Sequence, residues 1–192
     1  PLVLADLFSL YVTGQTIASG AAPSGLDFED YLRRISHVDH GAGLAAWERI
    51  LAPLAEPTLV APAIEAADGQ VPQQYTTELE LDVVRRIGEL TRAEGVTAST
   101  VVQFAWAVLL SRMTGNRVVA YGETVSGRPA DLDGVETMVG LFINTLPAVV
   151  DVDPGATIIE ALSKLQADKV SVLDHQHLSL IHISEPTRRY AI

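Results

Sequence analysis

Two short stretches hold the residue types best suited to chemistry. Residues 122–129, GETVSGRP, follow an apolar run and set Ser126, Gly127 and Arg128 ahead of a proline. Residues 139–147, VGLFINTLP, place one polar side chain, Asn144, among apolar neighbours. A buried carboxamide must satisfy its donors and acceptors. It therefore either ties a loop to a neighbouring strand or faces a cavity. Both readings of Asn144 stand at this level. Arg128 similarly reads as a clamp on a carboxylate or as a surface residue. Ser126 lacks the glycine pattern of a nucleophile elbow, and no HExxH, GxSxG or Walker sequence occurs.

The remaining chemical candidates are weaker. Gly41-Ala42-Gly43-Leu44-Ala45-Ala46 has the letters of a dinucleotide fingerprint, but no strand precedes it. That fingerprint needs a strand-to-helix turn to aim amides at a pyrophosphate. A glycine-rich helix start is the plainer reading. His37 and His40 lie three apart, and His175 and His177 lie two apart. Neither pair has a third ligand or a supporting carboxylate in a recognisable spacing, so surface or capping roles are expected and no metal site.

Helices and strands must position the two loops. Residues 1–11 carry Leu4, Leu7, Phe8 and Tyr11 at helical spacing. Residues 13–25 read as a loop. Asp27, with Asp30 three positions on, reads as a helix cap, and Tyr31, Leu32 and Ile35 follow as a short helix. Residues 43–54 form a second amphipathic pattern around Leu44, Trp47, Ile50 and Leu51, stopped by Pro53 and Pro57. Proline-rich residues 61–73 read as a linker between lobes.

The second half is more regular. Residues 74–79 suggest a short strand. Leu81–Glu94 suggests a helix with Val84, Ile87 and Leu90 inward, ended by Gly95. Thr97 or Ser99 can cap a helix over residues 100–114 whose inward face would be Val101, Phe104, Ala105, Val108 and Leu109. Residues 117–125 and 145–152 read as strands, the first apolar enough to be buried on both faces. A short helix or turn is expected over residues 138–142, and a last amphipathic helix over 157–173. Helices alternating with strands predict an α/β layered domain.

Composition excludes whole classes of function. The chain has 192 residues, 48% hydrophobic and 19% charged, which suits a folded core rather than disorder. Lys and Arg number 13 against 24 Asp and Glu, a net charge of −11, so there is no broad basic footprint for nucleic acid or anionic lipid. Cysteine is absent, which removes disulfides, thiolate metal sites and cysteine nucleophiles. No apolar run reaches bilayer-spanning length, and no signal peptide is evident. A cytoplasmic location with no membrane partner is the expectation.

Several motifs occur in the order found in one enzyme family. Tyr31 and its helix resemble a Tyr-x-Asp-Tyr-type segment. Trp47 to Leu54 followed by Glu56-Pro57-Thr58-Leu59 resembles a "W…L…PTL" stretch, and Gln103 to Ser111 an "AWALLLSR" helix. GETVSGRPADLDGVETMVGLFINTLP and Asp174-His175-Gln176-His177 complete the set. In these features the chain resembles the condensation domains of nonribosomal peptide synthetases, over residues 1–177.

The resemblance implies a partial chloramphenicol acetyltransferase-like two-lobed α/β fold. Residues 1–60 would be the end of the N-terminal lobe, 61–73 the inter-lobe linker and 74–177 part of the C-terminal lobe. It implies a peptide-bond-forming acyltransferase acting in secondary-metabolite synthesis. Substrates would ride on the phosphopantetheine of upstream and downstream peptidyl carrier protein domains, next to an adenylation domain, with no cofactor bound by the domain itself. Epimerization- or cyclization-type relatives and a noncatalytic carrier-docking module are the alternatives. Asn144, Ser126 and Gly127 would line the substrate tunnel, and Arg128 would act structurally near it.

The family's HHxxxDG motif, which supplies the active-site histidine, is absent from these residues. The chain is therefore expected to begin just after that segment, to contain no catalytic residue and to be inactive alone. Residues 178–192, beginning LSLIHISEPTR, resemble the conceptual translation of a transposase-type sequencing adapter, and are read as a non-native tail.

Overall fold

The structure, a computed structural model, describes residues 2–14, 27–60, 74–129 and 131–178. Of the expected loop over residues 13–25, Thr13 instead ends the first helix and residues 15–25 lie outside these, as does the expected linker over 61–73. In chain order the elements are α1 (Leu2–Thr13), α2 (Phe28–Ile35), α3 (His40–Leu51), α4 (Leu81–Glu94), α5 (Ala98–Thr114), β1 (Val118–Val125), β2 (Asn144–Asp151) and α6 (Ile158–Ser171). Short 3-10 turns occupy Val135–Thr137 and Leu173–His175.

Local chemistry explains where the helices start. Asp27 accepts from the amides of Glu29 (2.8 Å) and Asp30 (3.1 Å), while its own amide donates to Asp30 at 2.9 Å. This reciprocal cap opens α2. The bond from the Asp27 amide holds the Asp30 carboxyl below its ordinary range. Thr97 caps α5 by accepting from the Thr100 amide. Thr157 and Glu160 form a second capping box at α6, and the Thr157 amide and hydroxyl lower the Glu160 carboxyl. Gly95 ends α4 in the left-handed conformation, φ 65°.

β1 and β2 form a two-stranded sheet. The Val152 amide donates to the Arg117 carbonyl at 2.9 Å. The start of β1 thus lies beside the end of β2, the antiparallel register.

Contacts divide the chain into two compact units. One comprises Pro1–Gly43, Thr124–Leu146 and Asp174–Ile192; the other comprises Leu44–Glu123 and Pro147–Leu173. The core of the first joins Tyr31, Leu132, Val135, Met138 and Phe142, with Phe28 and Ile35 against them. Three rings pack there, with centroids 5.7 Å apart for Phe28–Tyr31, 5.2 Å for Phe28–Phe142 and 4.7 Å for Tyr31–Phe142. The core of the second unit joins Ala107 and Leu110 of α5, Val119, Val150 and Leu165 of α6.

Some sequence expectations need correction. Residues 74–79 form no strand; Tyr75 is 90% exposed and Leu79 59%. They pair with neither strand of the two-stranded sheet. In α4 nothing is buried: Val84 is exposed, and Ile87 and Leu90 are half-buried. The buried face of α5 is Thr100, Ala107 and Leu110, while Ala105 and Leu109 are exposed. Apolar residues surround that helix on nearly every side, so periodicity alone does not select a face. In β1 only Val119 is buried, and residues 138–142 are not helical; the 3-10 turn lies just before them. Along α1, Val3, Leu4, Leu7, Phe8, Tyr11 and Val12 are all more than half exposed. Among the described residues no single helix is long and apolar enough to cross a membrane.

Candidate functional site

The turn after β1 and the segment before β2 belong to the same unit. Gly127 makes their association possible. It is buried, with φ 63°, and a Cβ there would collide with the Phe142 carbonyl oxygen. Only glycine tolerates both the conformation and the approach. Ser126, one residue earlier, is exposed, and its hydroxyl is a distant 3.4 Å acceptor for the Arg128 amide.

Arg128 turns back into its own loop. Its guanidinium donates to the Val135 carbonyl and, at 3.0 Å, to the Met138 carbonyl. The same group stands 4.1 Å over the Phe142 ring centroid. Its partners are thus backbone oxygens and a ring rather than a carboxylate. The nearby Arg34 of α2 takes the carboxylate role, pairing with Asp131.

Asn144 is half-buried. Its amide nitrogen donates to the carbonyls of Gln176 (2.8 Å) and Leu178 (3.1 Å), and its oxygen accepts from the Thr145 amide at 2.9 Å. Both amide hydrogens are engaged, which leaves one oxygen lone pair as the capacity of this side chain toward a further group. Leu178, the first residue of the segment read as a tail, is 1% exposed. Residues 179–192 lie outside the described residues.

The structure thus brings Gly127, Arg128 and Phe142 together, puts Ser126 on the surface beside them, and uses Asn144 to tie β2 to the segment after α6. The histidines distribute differently. His37 Nδ1 lies 2.6 Å from the Arg33 carbonyl at the end of α2, a capping position. His40 and His177 have ring centroids 5.8 Å apart, and His175 and His177 6.4 Å. The two sequence pairs therefore meet through His40 and His177. No group of three His, Cys, Asp or Glu side chains is arranged to hold a metal ion among the described residues. The GAGLAA stretch lies inside α3, with α2 rather than a strand before it.

A cleft of about 420 Å³ lies within the second unit, bordered by Arg49, Asp151, Lys164, Asp168 and Ser171. Its acids already have cations. Asp151 pairs with Arg117 at 2.6 Å, and Asp168 with Lys164 at 2.7 Å. The bond from Arg117 lowers the Asp151 carboxyl. One further polar group escaped the sequence reading: Gln103, Glu123 and Lys169 converge in the second unit. The signal available was Glu123, the lone charged residue in the strand VVAYGETV.

These elements define a mixed α/β fold shared with solved condensation domains. The first condensation domain of the calcium-dependent antibiotic synthetase, in complex with substrate analogue 3a, superposes with a TM-score of 0.66 at 21% identity, over 95% of this chain and 40% of that one. The EpoB cyclization-docking bidomain from Sorangium cellulosum gives 0.69 at 19% identity, over 96% and 38%. The fold is accordingly part of the chloramphenicol acetyltransferase-like architecture.

The chain belongs to the condensation domain family, whose model matches residues 1–189. It is also 34% identical to one of the linear gramicidin synthase proteins of Brevibacillus parabrevis over 190 residues, 95% of this chain and 2% of that protein's length.

Proposed function

We propose that these residues are part of a domain that forms peptide bonds in nonribosomal peptide synthesis. Its substrates are two thioesters on the phosphopantetheine arms of carrier protein domains, with an adenylation domain adjacent. The acceptor amine attacks the donor thioester carbonyl; a C–N bond forms, the C–S bond breaks, and the thiol leaves with the amine's proton. Holding two such groups in line supplies a large part of the acceleration, so a tunnel wall matters as much as any acid or base.

In this reading residues 1–60 close the N-terminal lobe and 74–177 begin the C-terminal lobe, joined through 61–73. Asn144, Ser126 and Gly127 border the substrate tunnel, and Arg128 braces the turn that carries two of them. The supporting observation is the contact of Gly127 with the Phe142 carbonyl, because it joins the two loops that carry these residues. No HHxxxDG motif occurs in the sequence, and the 192-residue chain by itself is expected to form no peptide bond.

The test is condensation by a complete domain containing these residues, with aminoacyl-loaded carriers on both sides and the dipeptidyl thioester detected by mass spectrometry. A dipeptide is expected. An epimerised aminoacyl thioester or a heterocycle as the product would replace this reading with an epimerization or cyclization activity, and no product from any loaded pair would favour a docking module. Asn144→Ala should slow turnover by about tenfold or more through misplacement of the reactants. Unchanged turnover would assign Asn144 to the bonds with Gln176 and Leu178 alone.

A further inference from the structure

We infer that Glu123 and Lys169 are positioning residues for the transfer reaction: an ion pair that fixes the stretch of β1 from which the Ser126-Gly127 turn departs. The inference rests on the proposed function, and it gives a role to two residues outside the proposed tunnel set.

Glu123 is the sixth of the eight β1 residues. Its Oε1 accepts from Lys169 Nζ at 2.7 Å and from Gln103 Nε2 at 2.6 Å. Lys169 belongs to α6 and Gln103 to α5. One carboxylate oxygen therefore joins three elements of the second unit. Tyr121, two residues back on β1, donates its hydroxyl to the Gln103 carbonyl at 3.2 Å. Burial pushes that phenol upward, and the Glu123 charge adds to the effect.

This pair differs from the other ion pairs among the described residues. The Glu123 side chain is 19% exposed and that of Lys169 26%. By contrast, Arg33 and Glu29 are 59% and 76% exposed, and Arg117 and Asp151 55% and 29%. A pair at this depth is less tolerant of losing one member, because the charge left behind is only partly hydrated and has no counter-ion. An exposed pair loses little on the same change.

Its place in the chain gives the pair leverage. A strand rises about 3.3 Å per residue, so Ser126 lies within roughly 10 Å of Glu123 along an extended backbone. Thr124 and Val125 complete β1, and Ser126-Gly127-Arg128 follow directly. A charge left unpaired at Glu123 would draw the strand toward solvent and move the start of the turn. Neither Glu123 nor Lys169 then touches a reacting atom; both act through the backbone that leads to the turn.

The experiment compares wild type, Glu123→Gln, Lys169→Met, Lys169→Arg and the double variant E123Q/K169M in the complete domain, by steady-state condensation and thermal unfolding. Glu123→Gln and Lys169→Met should each lower kcat about tenfold, the scale of a modest misplacement of reactants, with KM for the acceptor thioester held within about twofold. Lys169→Arg, which keeps the cation, should restore at least half of wild-type kcat. The double variant, which leaves no lone charge, should exceed Lys169→Met. Where Lys169→Met fails to fold, the near-isosteric Glu123→Gln and the double variant carry the test. Unchanged kcat with only a lowered melting temperature would overturn the inference, as would a Lys169→Arg variant no better than Lys169→Met. An active wild type with indifferent variants removes this inference alone. An inert wild type removes the proposed function and this inference with it.

Discussion

Arg128 and Arg117 carry the same guanidinium and meet opposite kinds of acceptor. Arg128, in the first unit, donates to the carbonyls of Val135 and Met138 and covers the Phe142 ring. Arg117, in the second, donates to Asp151 at 2.6 and 2.9 Å and to Asp153 at 2.8 Å. The difference follows from the backbone around them. Residues 126–143 include little regular structure, so carbonyls there lack ladder partners and side chains must supply donors. Asn144 does the same for the carbonyls of Gln176 and Leu178. Around Arg117, β1 and β2 satisfy their own backbone, and the guanidinium is left to pair with the carboxylates of Asp151 and Asp153.

Substitutions can break this comparison. Gly127→Ala should have the largest effect, roughly 3 kcal/mol or more, because it adds a collision with Phe142 to a positive φ. A urea midpoint equal to that of wild type would mean the turn does not hold Phe142 as described. Arg128→Met comes next, at about 2–3 kcal/mol, from an orphaned Met138 carbonyl, the loss of one of two donors at the Val135 carbonyl and a lost ring contact. Denaturant unfolding at low salt and at about 0.5 M salt should give the same loss, since the acceptors are uncharged and the site is half-buried.

Arg117→Met should cost distinctly less, and its effect should shrink with salt, because that side chain is 55% exposed. If Arg117→Met proves the more damaging of the two, the contrast between the two arginines fails. The smallest effect concerns Glu160, whose carboxyl is lowered by the Thr157 amide and hydroxyl. A carboxyl lowered in the folded state stabilises it above the unfolded value, near pH 4, and that contribution disappears as pH falls through the folded value. Glu160→Gln should therefore be less stable than wild type at neutral pH, with the difference shrinking as pH falls below the unfolded value, read from melting temperatures across that range.

What could be read from the sequence depended on how far apart the cooperating residues lie. The cap at Asp27–Asp30 and the stop at Gly95 involve neighbours within one turn, and both were legible. The two loops of interest were visible because a lone Asn in an apolar run and an Arg before a Pro are local anomalies. Their partners were not. Nothing in VGLFINTLP indicates that Asn144 donates to carbonyls more than thirty residues later. Nor does GETVSGRP show that Arg128 returns to its own loop rather than to a carboxylate. The face of α5 was misassigned because Val102, Trp106, Leu109 and Met113 are as apolar as the buried set and yet remain exposed. Residues 74–79 failed for a related reason: strand propensity in Tyr75, Thr76 and Thr77 is a weak local preference that side-chain burial must reinforce, and Tyr75 and Leu79 are exposed.

The first unit gathers its parts from three separated stretches of chain, and this has a consequence for synthesis. Tyr31 leaves the ribosome about a hundred residues before Leu132, Val135, Met138 and Phe142, the side chains it packs against. At roughly 5–20 residues per second, α2 waits about 5–20 s for its core. During that interval Phe28 and Tyr31 have only nascent chain, chaperone or water as company. Substitutions on the apolar face of α2 should therefore lower the yield of soluble protein more than they lower the melting temperature of what is recovered.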